Sequence, residues 1–330
     1  MKGAILYELG QVPKFGEIAE PVVQQEGQHL LRVTAAAVKN LDKARVSGKH
    51  YASYVDLPAV VGVDLPAVVG NDGVGYLEDG TKVYGQGITG MIAEKAIISG
   101  NYTPVPKNLD DAKAAALPNA ILGSAMPLII RARLQEGQNV LFNGATGVTG
   151  QVGVQIAKHY GAKEIIVTGR NQAVLEQLKG YGATQTLVLP ENEEELTAQI
   201  QAIHQQTPID VVIDYLWGKP FQAILNAFKG NDIHHLASTV KIVTAGDMAG
   251  KEIQLTSAIL RSTDIQLMGS GFGSLTKEEL IVFNKVILPE MFLLAAQGKL
   301  HIQTEVHPLE AIEQVWNKPM DPGTRLVITL

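Results

Sequence analysis

The sequence predicts an α/β protein made of a β-rich domain and a doubly wound parallel sheet. Three observations point that way. The 330 residues amount to about two domains of ~150 each. Residues 1 to about 120 carry short apolar runs broken by Gly, Pro and Asp, the marks of strands and turns. Beyond them, strand-like runs alternate with helical patterns, which implies parallel strands joined by right-handed crossovers.

Taken in order, residues 1–7 read as a first strand, with an apolar stretch too short for a signal peptide. The runs 29–34 and 73–77 follow as strands of a compact, barrel-like domain. The residues 57–64 (Leu-Pro-Ala-Val-Val-Gly-Val-Asp) recur almost unchanged at 65–72 (Leu-Pro-Ala-Val-Val-Gly-Asn-Asp). A tandem copy this short is no solenoid. It reads as a duplication absorbed by lengthening a surface loop, at little cost in closure entropy; a purposeful substrate loop is the other reading. Residues 111–134 predict a helix, a break at Leu117 and Pro118, and a second apolar helix, a hinge into the next domain. Strands are then expected at 164–168, 186–189, 210–214, 241–245 and 265–268, with a helix from Glu191 whose acidic first turn suits the helix dipole. From about 271 the alternation stops: a long helix (277–297), a short strand, a short helix and a terminal strand (325–330). That last strand is free to return to the first domain.

The stretch 139–158 organises the chain. Val140, Leu141 and Phe142 form an apolar run of the kind buried on both faces of a sheet. A glycine-rich turn follows, then a helix on which Val148, Val152 and Ile156 recur every four residues. Ala145, Gly147 and Gly150 occupy the three positions of a G-x-G-x-x-G fingerprint. The turn residues Asn143, Gly144, Ala145, Thr146, Gly147, Val148, Thr149 and Gly150 are therefore the expected pyrophosphate cradle, completed by the free N–H groups of the helix start. About 20 residues on, an NAD site would carry Asp or Glu. Here Gly169, Arg170 and Asn171 stand instead. A guanidinium in place of a carboxylate suits a ribose 2′-phosphate, so the expected cofactor is NADPH.

Composition narrows the classes. Apolar content of 46% and charged content of 18% fit a globular protein with real cores. A net charge of −6, with basic residues scattered, argues against a nucleic-acid or anionic-membrane partner. No apolar run reaches the ~20 residues of a bilayer span, and a cytoplasmic location is the default expectation. The absence of cysteine removes disulfides, thiolate nucleophiles and Cys-based zinc sites together. Among the eight histidines, His234 and His235 are adjacent and the rest lack metal-ligand spacing, so no metal site is expected.

These residues carry a family likeness over nearly the whole chain. Residues 2–6, Asp42 with residues 45–48, residues 70–75, 114–118, 144–150 and 182–184 together resemble the medium-chain dehydrogenase/reductase superfamily, in particular its zinc-free quinone oxidoreductases. The resemblance implies a GroES-like catalytic domain (1–120 and 271–330) around a Rossmann nucleotide-binding domain (121–270). It also implies a homodimer joined through edge strands, here at 265–268. Further cofactor contacts implied are Ser124, Asp214, Tyr215, Thr244, Ala245, Gly246, Ser270 and Arg325. Zinc-dependent relatives have Gly-His-Glu where this chain has Gly70, Asn71 and Asp72, and Cys at the position of Lys39. Zinc-free relatives often have Asn at that position, an amide that here falls to Asn40. The family's D-x-x-G turn is one residue longer, running from Asp214 to Gly218.

Without a metal to stabilise an alkoxide, a simple alcohol is a poor substrate. A quinone or α,β-unsaturated carbonyl needs less help, because charge from hydride addition spreads onto oxygen, and positioning supplies much of the rate. Candidate hydrogen-bond donors near the expected substrate cleft are Tyr51, Tyr54, Lys39 and Asn40. The tyrosines read equally as an aromatic lip, and Lys39 as an ion-pair partner of Asp42. A 2-enoyl-thioester reductase, with Lys39, Lys43, Arg45 and Lys49 as a basic entrance, and a non-catalytic NADPH-binding protein are the other readings. If residues 57–64 only lengthen a loop, deleting them leaves solubility and NADPH affinity unchanged; an insoluble or cofactor-blind deletion protein, tested by calorimetric titration, would show the repeat to be structural.

Overall fold

The computed structural model describes residues 1–48, 66–230 and 238–330. The chain divides into two compact units, Met1–Pro118 with Ile281–Leu330, and Asn119–Leu280. The first unit begins with β1 (Lys2–Leu6), β2 (Lys14–Glu17), β3 (Gln28–Val38), β4 (Ala67–Val68), β5 (Asp72–Tyr76), β6 (Lys82–Gln86), β7 (Lys95–Ser99) and β8 (Thr103–Pro104). The second holds β9 (Val140–Asn143), β10 (Ile165–Gly169), β11 (Gln185–Val188), β12 (Val211–Asp214), β13 (Val240–Thr244) and β14 (Ile265–Gly269). The tail adds β15 (Gln303–Pro308) and β16 (Thr324–Thr329). The helices that matter below are α1 (Asn40–Val46), α2 (Asp111–Ala125), α3 (Val148–His159), α4 (Gln172–Tyr181), α5 (Glu193–Gln206) and α6 (Gly218–Ala227).

In the first unit a small sheet runs β2-β1-β4, and a seven-stranded sheet runs β15-β16-β3-β5-β6-β8, with β7 also pairing with β3. The terminal strand does return: Leu326, Val327, Ile328 and Thr329 pair antiparallel with Val38, Ala37, Ala36 and Ala35. Alternation along β3 sends Leu31 and Val33 into the core while Arg32 stays exposed. Leu6, Ile92, Ile98, Trp316, Leu326 and Ile328 join them.

The second unit is a six-stranded parallel sheet in the order β11-β10-β9-β12-β13-β14. Numbered within the unit, that is 3-2-1-4-5-6, the order of a dinucleotide-binding sheet. The central strands are mostly apolar because helices cover both faces: Val140, Leu141, Phe142, Ile166, Val212 and Ile213 are all completely buried. α5 starts where the Asn192 side chain accepts hydrogen bonds from Glu194 N (2.7 Å) and Glu195 N (3.2 Å), a cap followed by the acidic first turn.

Two expectations need correction. No break occurs at Leu117–Pro118: α2 runs through Pro118 to Ala125 and continues into a wide helical turn, Met126–Arg131. Proline removes one backbone donor but leaves the flanking hydrogen bonds available, and a buried apolar helix tolerates the defect. The same helix, Asp111–Arg131, is by length and composition apolar enough to cross a membrane, contrary to the run count, because Gly, Ser and Asn dilute the pattern without reversing it; 67% of its apolar window is buried inside the protein.

His204, on α5, accepts a hydrogen bond from Ile209 N at 3.0 Å through Nδ1 and packs edge-on to Phe228 at 4.9 Å. Burial lowers its pKa below 6.5, opposed by Asp210. A histidine held neutral in the fold contributes stability that is complete above the unfolded-state value near 6.5 and is lost as pH falls through the lower folded value. Urea titrations of His204→Leu and the parent should therefore differ in pH slope below about 6.5, the parent losing more stability on acidification.

Candidate nucleotide site

The order of the parallel sheet reverses between β9 and β12, and in such sheets the crevice beyond the carboxyl ends of the strands at that reversal is the ligand site. Here those ends are tied together by side chains. Asn143 Nδ2 donates to Asp214 Oδ1 at 2.7 Å, Thr168 Oγ1 donates to Asn143 Oδ1 at 2.9 Å, and Thr244 Oγ1 donates to Asp214 Oδ2 at 3.3 Å. A transverse row of polar groups thus links β10, β9, β12 and β13. Asn143, Thr168 and Asp214 are completely buried. Burial pushes the Asp214 carboxyl up to about 6, against the hydrogen bonds from Asn143, Leu216 N, Trp217 N and Thr244.

Above this row lies the glycine-rich turn. Gly144 has φ 89°, the left-handed conformation glycine takes without penalty. Its N–H donates to Thr168 Oγ1 (3.1 Å), and Ala145 N donates to Thr168 O (2.8 Å). A Cβ at Gly150 would lie 2.5 Å from Ala145 Cα and 2.6 Å from its carbonyl oxygen, so only glycine lets α3 come this close to the turn. Gly147 caps α3 with no side chain, and a Cβ there would meet nothing within 4 Å. Gln151 Nε2 braces the turn by donating to Thr146 O at 3.0 Å. An open helix start with bare backbone, held from behind, fits a diphosphate.

The structure also locates the other expected residues of this unit. Gly169 ends β10 against the Thr146 methyl, Arg170 is exposed, and Asn171 caps α4 by accepting from Val174 N at 3.2 Å. Val148 and Thr149 open α3 and are half-buried; Thr149 packs against Gly123. Ser124 is buried and donates to Ala120 O at 2.6 Å. Tyr215 is buried beside Gly153, its hydroxyl without a hydrogen-bond partner among the described residues. Ala245 N donates to Asp214 O (2.7 Å), Ser270 N donates to Thr244 O (2.9 Å), and Gly246 packs on Tyr215 O. Sequence reading missed Thr168, whose signal is a lone hydroxyl in an apolar strand, and Leu216 and Trp217, which only geometry reveals.

In the first unit, Lys39 stands at the end of β3 and is 2% exposed. Its ammonium donates to Ala37 O (2.9 Å) and Asp72 Oδ1 (2.6 Å) and lies 3.2 Å from Asp42 Oδ2. Two of its N–H groups are thus hydrogen-bonded and a second carboxylate lies beside it. Asp42 also accepts from Lys39 N (2.8 Å), Asn71 N (3.1 Å) and Asn71 Nδ2 (2.6 Å). Tyr84 donates to Asp72 at 3.0 Å, and Arg45 donates to Asn71. Burial lowers the Arg325 pKa, offset by the Asp42 and Asp72 charges. The geometry thus realises the ion-pair reading of Lys39. Asn40 is exposed on the first turn of α1. Tyr51 and Tyr54 lie outside the described residues. Among the described residues, no three His, Cys, Asp or Glu side chains converge as a metal site.

The family profile described as zinc-binding dehydrogenase matches residues 148–283. An NADPH-dependent alkenal/one oxidoreductase of Arabidopsis thaliana is 35% identical over 178 residues, 48% of this chain and 44% of its own length. A 2-methylene-furan-3-one reductase of Solanum lycopersicum is 34% identical over 57% of this chain and 51% of its own length; the chain thus matches about half the length of these two relatives. A quinone oxidoreductase of Rattus norvegicus is 27% identical over 87% of this chain and 85% of its own length. Among solved structures, a mycobacterial quinone oxidoreductase superposes with a TM-score of 0.82 at 18% identity, covering 100% of both chains. The quinone oxidoreductase of Thermus thermophilus gives 0.76 at 22%, again covering 100% of both. The two units are therefore the GroES-like and Rossmann domains of that fold. In fold over its whole length, and in sequence over part of it, the chain is thus similar to proteins named quinone oxidoreductase and alkenal/one oxidoreductase.

Replacing Lys39 by Met leaves two buried carboxylates without their shared cation. Breaking a buried pair from one side costs about 3–5 kcal/mol, so Lys39→Met should lose that much in urea titration. The double variant Lys39→Met, Asp72→Asn should recover part of it.

Proposed function

We propose that this chain is an NADPH-dependent oxidoreductase that reduces a quinone or an α,β-unsaturated carbonyl without a metal. The observation that carries the reading is the open start of α3 beside Gly169 and Arg170: a diphosphate cradle next to an exposed guanidinium at the carboxyl end of the neighbouring strand. The names of the relatives, an NADPH-dependent alkenal/one oxidoreductase and a quinone oxidoreductase, support it.

NADPH, when bound, supplies the hydride. The chain's part is to hold it. The backbone N–H groups at the start of α3 take the diphosphate, and Arg170 takes the 2′-phosphate. Thr168, Asn143, Asp214 and Thr244 keep the strand ends that carry these groups in register. Lys39, committed to Asp42 and Asp72, balances charge; hydrogen bonding to the substrate oxygen then falls to Asn40, Tyr51 or Tyr54. The thioester reading is weakened, because Lys39 and Arg45 are buried and cannot form a basic entrance, Lys43 is half-buried, and Lys49 lies outside the described residues. A homodimer joined through β14, the edge strand of the parallel sheet, and a cytoplasmic location complete the proposal.

A panel of quinones, enones and 2-enoyl thioesters scored by NADPH oxidation tests the activity; turnover of none of them would leave only the binding protein. Arg170→Ala should weaken NADPH by about 1.5–3 kcal/mol, the worth of hydrogen bonds to a charged group, and leave NADH nearly untouched. Equal losses in fluorescence titration would remove Arg170 from the 2′-phosphate.

A further inference from the structure

Trp217 has φ 55° and ψ −159°, a region that glycine alone normally visits. A tryptophan stays there only if its surroundings insist. The Asp214 carboxylate accepts from Trp217 N at 3.2 and 3.1 Å through its two oxygens, and from Leu216 N at 3.2 Å. The indole stacks on Phe221, 4.8 Å between centroids and 15° from parallel. So clamped, the segment directs Leu216 onto the glycine-rich loop: a Cβ at Gly144 would meet Leu216 Cγ and Cδ2 at 2.7 Å. Leu216 O accepts from Ala249 N at 2.7 Å, which ties the same residue to the loop after β13. Leu216 is half-buried and stands where the strand order reverses.

We propose that Leu216 is a positioning residue that decides how the nicotinamide half of the dinucleotide lies, and that the strained backbone of Trp217 keeps it in place. The inference rests on the NADPH reading above and deepens it. Arg170 follows β10, on one side of β9; Leu216 follows β12, on the other. A dinucleotide lying across the reversal has its phosphorylated ribose on the β10 side and its nicotinamide half on the β12 side. Leu216 therefore borders only the second half. An apolar side chain there offers shape without a hydrogen bond, so it sets orientation and leaves the anchoring to the phosphates.

The test compares NADPH with adenosine 2′,5′-bisphosphate, which carries only the adenine half, by calorimetric titration, alongside the emission of bound NADPH and the melting temperature. Leu216→Ala should weaken NADPH about 5- to 20-fold, in line with what half-burying a leucine side chain contributes. It should change the bisphosphate less than about 2-fold, since apolar contacts on the far half do not reach it, and move the bound nicotinamide emission toward that of free cofactor. Leu216→Met, of similar volume, should restore most of the NADPH affinity and guards against a folding defect in the alanine variant. Trp217→Gly should melt higher than Trp217→Ala, since glycine accepts the turn, yet bind NADPH more weakly than it, since the turn is no longer fixed. Equal effects of Leu216→Ala on both ligands, no effect on either, or the reverse order for the two Trp217 variants would overturn the inference. A parent protein that binds the bisphosphate and not NADPH would overturn it too, whereas one that binds neither refutes the NADPH reading itself.

Discussion

A carboxylate taken out of water must be given hydrogen bonds and countercharge, or the fold fails around it. Both units of this chain are arranged about that demand. In the parallel sheet, Asp214 sits completely buried at the strand-order reversal and, among the described residues, is answered by neutral donors: an amide, a hydroxyl and two backbone N–H groups. In the other unit, Asp42 and Asp72 are answered by full positive charge from Lys39. The difference shows in their electrostatics. Burial pushes Asp214 up to about 6, whereas Lys39 has its pKa raised by the two carboxylates in spite of burial.

The two solutions serve different ends. Neutral donors around Asp214 come from neighbouring strand ends and one turn, so satisfying the carboxylate also fixes the geometry of the glycine-rich loop and of the loops after β12 and β13. The ion cluster instead welds the end of β3 to the starts of α1 and β5. An ammonium hydrogen-bonded to Ala37 O and Asp72 and paired with Asp42 is a poor proton donor, because the two carboxylates hold the proton in place. Lys39 is thus a structural charge in this unit.

Much of this was legible in the sequence. Period-two and unbroken apolar runs located the strands, and the spacing of Ala145, Gly147 and Gly150 located the open helix start, because these are local consequences of backbone sterics. The pairing of Lys39 with Asp42 was visible as an i, i+3 relation; its pairing with Asp72, contributed by another strand, was not. Trp217 was invisible for a sharper reason. Its backbone conformation is one that its own residue type disfavours, so local preference points away from the truth, and only the Asp214 clamp makes it possible. Pro118 misled in the opposite sense, as a breaker overruled by burial of the helix on either side.

The tail strand β16 closes the sheet against Ala35–Val38 of β3, almost the whole chain away in sequence. On a ribosome the chain emerges from its N-terminus. The β-rich unit is therefore begun first and finished last, while residues 119–280, contiguous in sequence, can complete their sheet in between. Throughout that interval one edge of β3 carries unpaired N–H and C=O groups along three alanines and a valine, a ready template for strands of other chains. Until Leu326–Thr329 reaches Ala35–Val38, an apolar edge of β3 has to be kept from the wrong partner, and expression should depend on what shields it.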